Sequence, residues 1–282
     1  MTGSELSRTP TIGVFDSGFG GLTVLRALID RVPQARFAFL GDTARLPYGS
    51  KSRRTIARYA AQSAQFLVNE QGAEYLVIAC NTASALALDA IQDAVPASVS
   101  VIGVIEPGAQ AARNASKTGD VLVIATDATV QSHAYSAACC ALGLRAHEKA
   151  CPLLVPLVEE GWVHHSVTGE VVRIYLDELY AEAAIQGLNP DTLVLGCTHY
   201  PLLKPLIEKL IPAGTKVIDS AESAADKLVL LLSHDLGAPP RPASANPVLR
   251  CFATDSVEKF ERLGSRFLGQ PTGKVELVDL GG

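Results

Sequence analysis

The chain has 282 residues, 48% hydrophobic and 19% charged, which is enough for two domains with a sizeable core. Its net charge of −5 argues against a nucleic-acid partner, because nucleic-acid-binding domains carry a basic patch. No run approaches the roughly 18 apolar residues of a membrane span, and the start, MTGSELSRTP, lacks the apolar segment of a signal peptide. We therefore expect a cytoplasmic protein with reduced cysteines and no membrane partner.

Short Val/Ile/Leu-rich runs alternate with longer helical stretches, which is typical of βαβ units with parallel sheets. The predicted strands are 11–15, 36–40, 75–79, 100–105, 120–125, 192–196, 215–218, 248–253 and 274–278. The predicted helices are 20–31, 52–71, 82–93, 107–115, 130–142, 166–186, 202–211, 221–234 and 255–267. A Pro/Ala-rich segment, 236–247, is predicted to be a loop.

The turn after the first predicted strand, FDSGFGGLTV, contains glycines that let a backbone approach a ligand closely. It is an incomplete dinucleotide fingerprint, since Thr23 stands where the third glycine is expected. Asp16 just before the glycines would repel a pyrophosphate and suits an ammonium group. The Pro/Gly segment LPYGSK (46–51) follows Asp42 and is expected at the same edge of the sheet.

Two stretches resemble one another, and each carries a cysteine at the same place. Residues 75–84 read YLVIACNTAS and residues 192–201 read TLVLGCTHYP, so Cys80 and Cys197 both stand where a buried strand is predicted to end. Ligands of parallel sheets bind just beyond such ends.

The internal similarity extends further along the chain. TIGVFDSG (11–18) resembles SVIGVIEPG (100–108), and FAFLGDT (37–43) resembles VLVIATDAT (121–129). The pattern predicts an α/β fold of two similar lobes, each a mostly parallel sheet flanked by helices. A pseudo-twofold axis is expected to relate the lobes, with the active site in the cleft between them.

Three kinds of chemistry use cysteine and histidine in this setting. Nucleophilic Cys/His catalysis needs one thiol and leaves the second cysteine unexplained. A zinc site from Cys80, Cys197 and His199 has no C-x-x-C spacing to support it. Proton transfer by two opposed thiols accounts for both cysteines, and a helix beginning after Cys80 is expected to favour its thiolate. A two-lobed binding protein and a redox protein with a Cys80–Cys197 disulfide remain as alternatives.

Several motifs resemble those of the glutamate racemases, a branch of the aspartate/glutamate racemase superfamily. They are DSGxGGL (16–22), PYG (47–49), ACNTAS (79–84), VIGVIEPG (101–108) and LGCTHYPLL (195–203). The resemblance implies an isomerase that interconverts L- and D-glutamate with no cofactor and no metal, and that supplies D-glutamate for peptidoglycan. A racemase for aspartate or a hydantoin is the nearest alternative. Members of the family form different homodimers, and the sequence identifies no interface.

The resemblance also implies roles for individual residues. Cys80 corresponds to the thiolate that acts on D-glutamate and Cys197 to the one that acts on L-glutamate. Asp16 and His199 correspond to catalytic groups that assist proton movement and contact the substrate. The positions expected to hold the substrate's polar ends are Ser17, Tyr48, Gly49, Asn81, Thr82 and Thr198.

Three further positions, and the domain bounds, follow from the same resemblance. Glu159 is expected near the site, with Glu160 beside it as a competing candidate. Thr126 and Thr129 are implied more weakly, because Ala128 replaces a glycine that is usual in that turn and that would permit a positive φ. The first lobe is predicted to comprise 1–104 and 217–282, and the second lobe 105–216.

Overall fold

The computed structural model describes residues 9–236 and 247–281. Residues 1–8 and nearly all of the predicted loop 236–247 lie outside them. The strands are β1 (Thr11–Asp16), β2 (Arg36–Gly41), β3 (Tyr75–Ile78), β4 (Ser100–Gly103), β5 (Asp120–Ala125), β6 (Arg145–Ala150), β7 (Thr192–Gly196), β8 (Lys216–Asp219), β9 (Val248–Ala253) and β10 (Val275–Leu277). The helices are α1 (Leu22–Arg31), α2 (Arg53–Gln65), α3 (Asn81–Leu86), α4 (Leu88–Ala94), α5 (Ile105–Ala115), α6 (Asp127–Gln131), α7 (Ala134–Ala141), α8 (Leu154–Glu159), α9 (Ser166–Ile185), α10 (Lys204–Leu210), α11 (Ser220–Leu236) and α12 (Val257–Leu268).

Within the described residues these strands form two sheets, and every strand pair is parallel. The first sheet has the order β10-β9-β2-β1-β3-β4, and the second has the order β6-β5-β7-β8. The run β2-β1-β3-β4 follows the same path as β6-β5-β7-β8. This confirms the predicted α/β architecture of two mostly parallel sheets flanked by helices.

The equivalence of the strands corrects two alignments of the predicted repeat. The counterpart of β1 is β5, and β4 lies at the edge of the first sheet beside β3, so the alignment of 100–108 with 11–18 is wrong. The counterpart of β2 is β6, so the alignment of 37–43, which begins in β2, with 121–129, which begins in β5, is also wrong. Glu106, which that alignment pairs with Asp16, is exposed. The cysteine motifs remain equivalent, because Cys80 follows β3 and Cys197 follows β7, the third strand of each path.

The inner strands are buried because their sequences are apolar on both faces. Ile12, Val14 and Phe15 of β1 are fully buried, as expected for a parallel strand covered by helices on both sides. Burying such a side chain contributes about 1.5–3 kcal/mol. β6 is not predicted from the sequence, because its sequence, RAHEKA, is polar. It lies at the edge of the second sheet and is only partly buried, so it needs no apolar run.

The largest hydrophobic cluster runs through both halves of the molecule, with Ile12 of β1, Leu195 of β7 and Leu228 of α11 among its members. α11 packs against both α1 and α5. The C-terminal strands β9 and β10 return to the first sheet beside β2. β8 spans the predicted lobe boundary at 216/217, and the division into 1–104 with 217–282 and 105–216 stays a prediction.

Some predicted helices are interrupted where the backbone leaves the helical region. The predicted helix 52–71 becomes α2 followed by a π-helical turn, Phe66–Glu70. α3 and α4 are separated at Ala87, with φ −137°, and α6 and α7 at His133, with φ 54°. Among the helices of the described part of the chain, none combines the length and the apolar character of a bilayer span.

Candidate active site

Cys80 lies at the carboxyl end of β3 and caps α3, where its Sγ accepts a hydrogen bond from the Ala83 N–H at 3.4 Å. On its other side the thiol donates to Ser17 Oγ, also at 3.4 Å. Burial, and after it the nearby Asp16 carboxyl, raises the pKa of the Cys80 thiol to about 12. The expected thiolate is therefore absent at neutral pH, because burial and a neighbouring acid outweigh the helix amides.

Residues 16–23, from the last residue of β1 to the first turn of α1, contact both cysteine turns. Ser17 contacts Cys80, while Thr23 donates to the Thr198 carbonyl at 3.0 Å. A Cβ at Gly20 would stand 2.6 Å from the His199 ring, so only glycine permits this approach. The turns after β3 and β7, in different sheets, therefore meet across one short segment.

Asp16 ends β1 and is almost completely buried. Its Oδ2 accepts from the Gly18 N–H at 3.0 Å, whereas Oδ1 has no hydrogen-bond partner among the described residues. Burial raises the pKa of Asp16 against the opposing effect of His199. A buried acceptor without a donor is costly, so a ligand that donates to Oδ1, such as an ammonium group, would be stabilised there.

Cys197 directly follows β7 and lies beside a chain of ionisable groups. Its Sγ lies 3.9 Å from His199 Nδ1, and His199 Nε2 lies 3.2 Å from Glu159 Oε1, at the end of α8. Glu159 Oε2 is in turn 3.6 Å from Lys259 Nζ on α12. Glu160 is exposed, so the structure brings Glu159 and not Glu160 to the site.

Protonation of this chain follows from its contacts. Burial alone would lower the pKa of His199, but hydrogen bonds to Cys197 and Glu159 outweigh it and raise the pKa to about 10. Burial would raise the pKa of Glu159, but the hydrogen bond with His199 and the nearby Lys259 hold it below its usual range. At neutral pH the imidazole is therefore charged, and positive charge lies beside the Cys197 sulfur.

The hydroxyl groups of Thr82, Thr126 and Thr129 form a triangle across the two sheets. The Thr82 oxygen lies 3.1 Å from Thr126 Oγ1 and 3.2 Å from Thr129 Oγ1, and the latter two are 3.0 Å apart. Gly49 packs against Thr126, where an added Cβ would stand 3.4 Å away. Ala128 lies within α6 and has no positive φ, so this turn carries no backbone strain.

Tyr48 and Asn81, like Ser17 and Thr82, are predicted to hold the substrate and have intramolecular partners. The buried Tyr48 hydroxyl donates to Asp42 Oδ2 at 2.5 Å, which holds the loop to the end of β2. Asn81 Oδ1 accepts from the Tyr135 hydroxyl at 2.7 Å. The Asn81 Nδ2 is buried without a partner among the described residues and is free to donate to a ligand.

The assembled groups can bind an amino acid and move a proton. Asp16 Oδ1 is an orphan acceptor and Asn81 Nδ2 an orphan donor, which complement an ammonium and a carboxylate. One thiol is protonated, and the other lies beside an imidazolium. In the described residues no group of three or more His, Cys, Asp or Glu side chains is arranged to hold a metal ion.

Sequence reasoning misses Lys259, Thr23 and Tyr135. Lys259 comes from α12, 100 positions beyond Glu159, and no motif links the two. Thr23 enters the sequence pattern only as a substitute for a glycine. Tyr135 follows the ATDATV segment, where its spacing to Thr129 carries no recognisable signal.

Comparison with known proteins gives consistent results. A family model described as Asp/Glu/Hydantoin racemase matches residues 12–228. A glutamate racemase of Koribacter versatilis is 53% identical, over 97% of this chain and 98% of that protein. A crystal structure of a glutamate racemase isoform from Bacillus anthracis superposes with a TM-score of 0.85 at 38% identity, over 96% and 98% of the two chains. One from Francisella tularensis subsp. tularensis, in complex with D-glutamate, has a TM-score of 0.84 at 37% identity, over 98% and 99%.

Proposed function

The chain belongs to the Asp/Glu/hydantoin racemase family, and on that premise we propose that it interconverts L- and D-glutamate by proton transfer between two thiols at the α-carbon. It is an amino-acid racemase, which is an isomerase. The bound D-glutamate of the Francisella structure supports a small-molecule substrate of this kind.

One observation carries the two-thiol proposal. Cys80 and Cys197 occupy equivalent positions, each after the third strand of its sheet, and residues 16–23 touch both turns. We propose that a substrate lying against this segment would have one thiol on each side. Holding reactants in such a geometry accounts for a large part of the rate of an enzymatic step.

The protonated Cys80 thiol and the charged His199 beside Cys197 support an order for the two proton transfers in the L-to-D direction. In the proposed step, the Cys197 thiolate takes the α-proton of L-glutamate, breaking the C–H bond and forming an S–H bond. The Cys80 thiol then gives its proton to the opposite face of the carbanion and becomes a thiolate. Once D-glutamate has left, Cys197 loses its proton to water and Cys80 regains one, which restores the starting state. We propose that the charged His199 stabilises the Cys197 thiolate and that Asp16, beside Cys80, assists the return of the proton to that thiol.

The carbanion must be stabilised by the protein's own groups. Negative charge grows on the substrate carboxylate, and donors aimed at it lower the barrier. Asn81 Nδ2 and the hydroxyls of Thr82 and Thr198 are proposed to supply these hydrogen bonds. Thr82 is already connected to the second lobe through Thr126 and Thr129.

The biological part of the proposal follows the family. D-glutamate is proposed to feed peptidoglycan synthesis, with a role in the cell wall and cell shape. A two-thiol mechanism needs both sulfurs reduced, which suits the cytoplasm. The homodimer implied by the resemblance stays a prediction.

The test is a circular dichroism assay of the purified protein with L-glutamate and, separately, L-aspartate. We expect the signal of glutamate to decay to zero and that of aspartate to persist. Cys80→Ser and Cys197→Ser should each nearly abolish the decay, while Cys140→Ser, which replaces an exposed cysteine, should retain it. Persistence of the glutamate signal would overturn the proposed substrate, and an active Cys80→Ser or Cys197→Ser variant would overturn the two-thiol mechanism.

A further inference from the structure

We propose that Tyr135 is a positioning residue that sets the turns of the two cysteines relative to each other and presents the Asn81 amide to the substrate. The inference rests on the proposed function, because it assigns a task to Asn81 in that reaction. Tyr135 touches the residue that follows Cys80 and the residue that precedes Cys197, although the two cysteines follow strands of different sheets.

The first contact fixes the orientation of Asn81. The Tyr135 hydroxyl donates to Asn81 Oδ1 at 2.7 Å, which leaves Nδ2 without a partner in the described structure. Burial raises the pKa of Tyr135 above its usual value of 10, so the hydroxyl keeps its proton and acts as a donor. If the amide turned over, Asn81 Nδ2 would donate to the tyrosine oxygen, and the buried hydroxyl proton would lose its acceptor among the described residues. The hydroxyl therefore selects the orientation that leaves two amide hydrogens for a ligand.

The second contact locates the end of β7. An added Cβ at Gly196 would stand 3.0 Å from the Tyr135 ring, and one at Gly108 of α5 would stand 3.3 Å from it. The ring therefore fills the space between α5 and the residue directly before Cys197. Because protein interiors are close-packed, a smaller side chain here would let the Cys197 turn shift.

The backbone directs Tyr135 inward. His133 lies in the left-handed region, with φ 54°, and separates α6 from α7. A residue other than glycine is uncommon there, and structure around it must compensate for the strain. Two residues later the Tyr135 side chain is completely buried.

A double-mutant cycle tests the inference. Tyr135→Phe keeps the ring and removes only the hydroxyl, and we expect kcat/KM for glutamate to fall about tenfold, the value of one lost hydrogen bond. In an Asn81→Ala background the same substitution should cost less than about twofold, since its target is gone. A further loss of about tenfold in that background would show that Tyr135 acts independently of Asn81 and would overturn the inference.

Tyr200→Phe is the matched control. Tyr200 is also fully buried in the second lobe, but its hydroxyl donates to the carbonyls of Ala125 and Cys151, at 3.1 and 3.0 Å. Tyr200→Phe should lower kcat/KM by the same factor in the wild-type and in the Asn81→Ala background. A Tyr200→Phe effect that disappears with Asn81→Ala would mean that any buried hydroxyl couples to Asn81, which contradicts a specific role for Tyr135.

The same cycle is repeated by urea unfolding, which needs no substrate. A coupling between Tyr135→Phe and Asn81→Ala in the free energy of unfolding is expected, and additive values overturn the inference whatever the activity. Coupling in unfolding with additive kinetics also overturns it, since the hydrogen bond would then not serve the reaction. A wild-type protein inactive on glutamate overturns the proposed function, and the unfolding cycle still decides whether Tyr135 holds Asn81.

Discussion

Glu159→Gln separates the charge of the Glu159 side chain from its shape. Glu159 Oε1 lies 3.2 Å from His199 Nε2, and no shorter contact of the histidine with an acid is present among the described residues. Glutamine keeps an oxygen that can accept the same hydrogen bond but removes the negative charge. The substitution therefore tests whether the charged state of His199 depends on Glu159.

The magnitude follows from that distance. An opposite charge within hydrogen-bonding range shifts a pKa by about 1–3 units, so the His199 pKa, about 10 in the wild type, should fall by that amount. Weakening a charge-assisted hydrogen bond costs about 1.5–3 kcal/mol, which corresponds to a loss of about 10- to 100-fold in kcat/KM. Because His199 then loses its proton at lower pH, the alkaline limb of the pH–rate profile should move toward neutrality.

The assay combines NMR titration of the His199 imidazole with kcat/KM measured across the alkaline range. Glu160→Gln is the matched control, since Glu160 is exposed and adjacent in the chain. It should leave both the pKa and the profile unchanged. The two enantiomers have equal free energies, so each variant must lose the same factor in both directions. An unchanged His199 pKa in Glu159→Gln, or an equal shift in Glu160→Gln, would refute the reasoning.

Three further predictions concern the surroundings of His199. Gly20→Ala should lower kcat/KM at least tenfold and destabilise the protein by about 1–3 kcal/mol through overpacking against the histidine ring. The control is Gly169→Ala, whose added Cβ would have its nearest neighbour at 3.9 Å. Assays of activity and urea unfolding should show no change in kcat/KM or stability for this control. Lys259→Met should lower kcat/KM no more than about fivefold, because its pair with Glu159 is partly exposed, and a larger loss in the same assay would contradict this. The folded-state pKa of His199 lies above its unfolded value near 6.5, so protonated His199 stabilises the fold fully below pH 6.5, and this stabilisation is lost as the pH rises toward 10. Urea unfolding across this range should show a decline in the free energy of unfolding that is weaker in Glu159→Gln than in the wild type. Equal declines in the two proteins would contradict the pairing of His199 with Glu159.

The positions of the two cysteines are predictable from the sequence, because each depends only on the strand directly before it. Cys80 and Cys197 stand at the ends of apolar strands, and parallel strands bring such ends to one edge. The paired motifs are therefore sufficient to locate both thiols. The same local view fails for the charge on Cys80, where the amides of a short helix compete with burial and with Asp16 from another strand.

The predicted repeat is misaligned because apolar strands look alike. The sequence SVIG of β4 resembles TIGV of β1, but only the pairing of β4 with β3 reveals its place at a sheet edge. The polar edge strand β6 has no apolar run to detect. Pairing partners and edge positions are properties of the assembled sheet and not of a segment.

Contacts between distant segments account for the rest. Which of Glu159 and Glu160 faces His199 depends on the packing of α8, and Lys259 reaches Glu159 only because the C-terminal strands return to the first sheet. Tyr135 meets Asn81 across the two lobes. None of these contacts leaves a periodic or motif signal in the chain.

Turnover in deuterated water tests the central claim most directly, since the claim is that two different thiols serve opposite faces of one carbon. L-glutamate is incubated with the wild-type protein, and both enantiomers are separated and analysed by mass spectrometry while little substrate has reacted. Two thiols predict deuterium at the α-carbon of the D-glutamate formed and almost none in the recovered L-glutamate. Equal deuterium in both enantiomers at early times would mean that one group removes and returns the proton on either face, and would contradict the account.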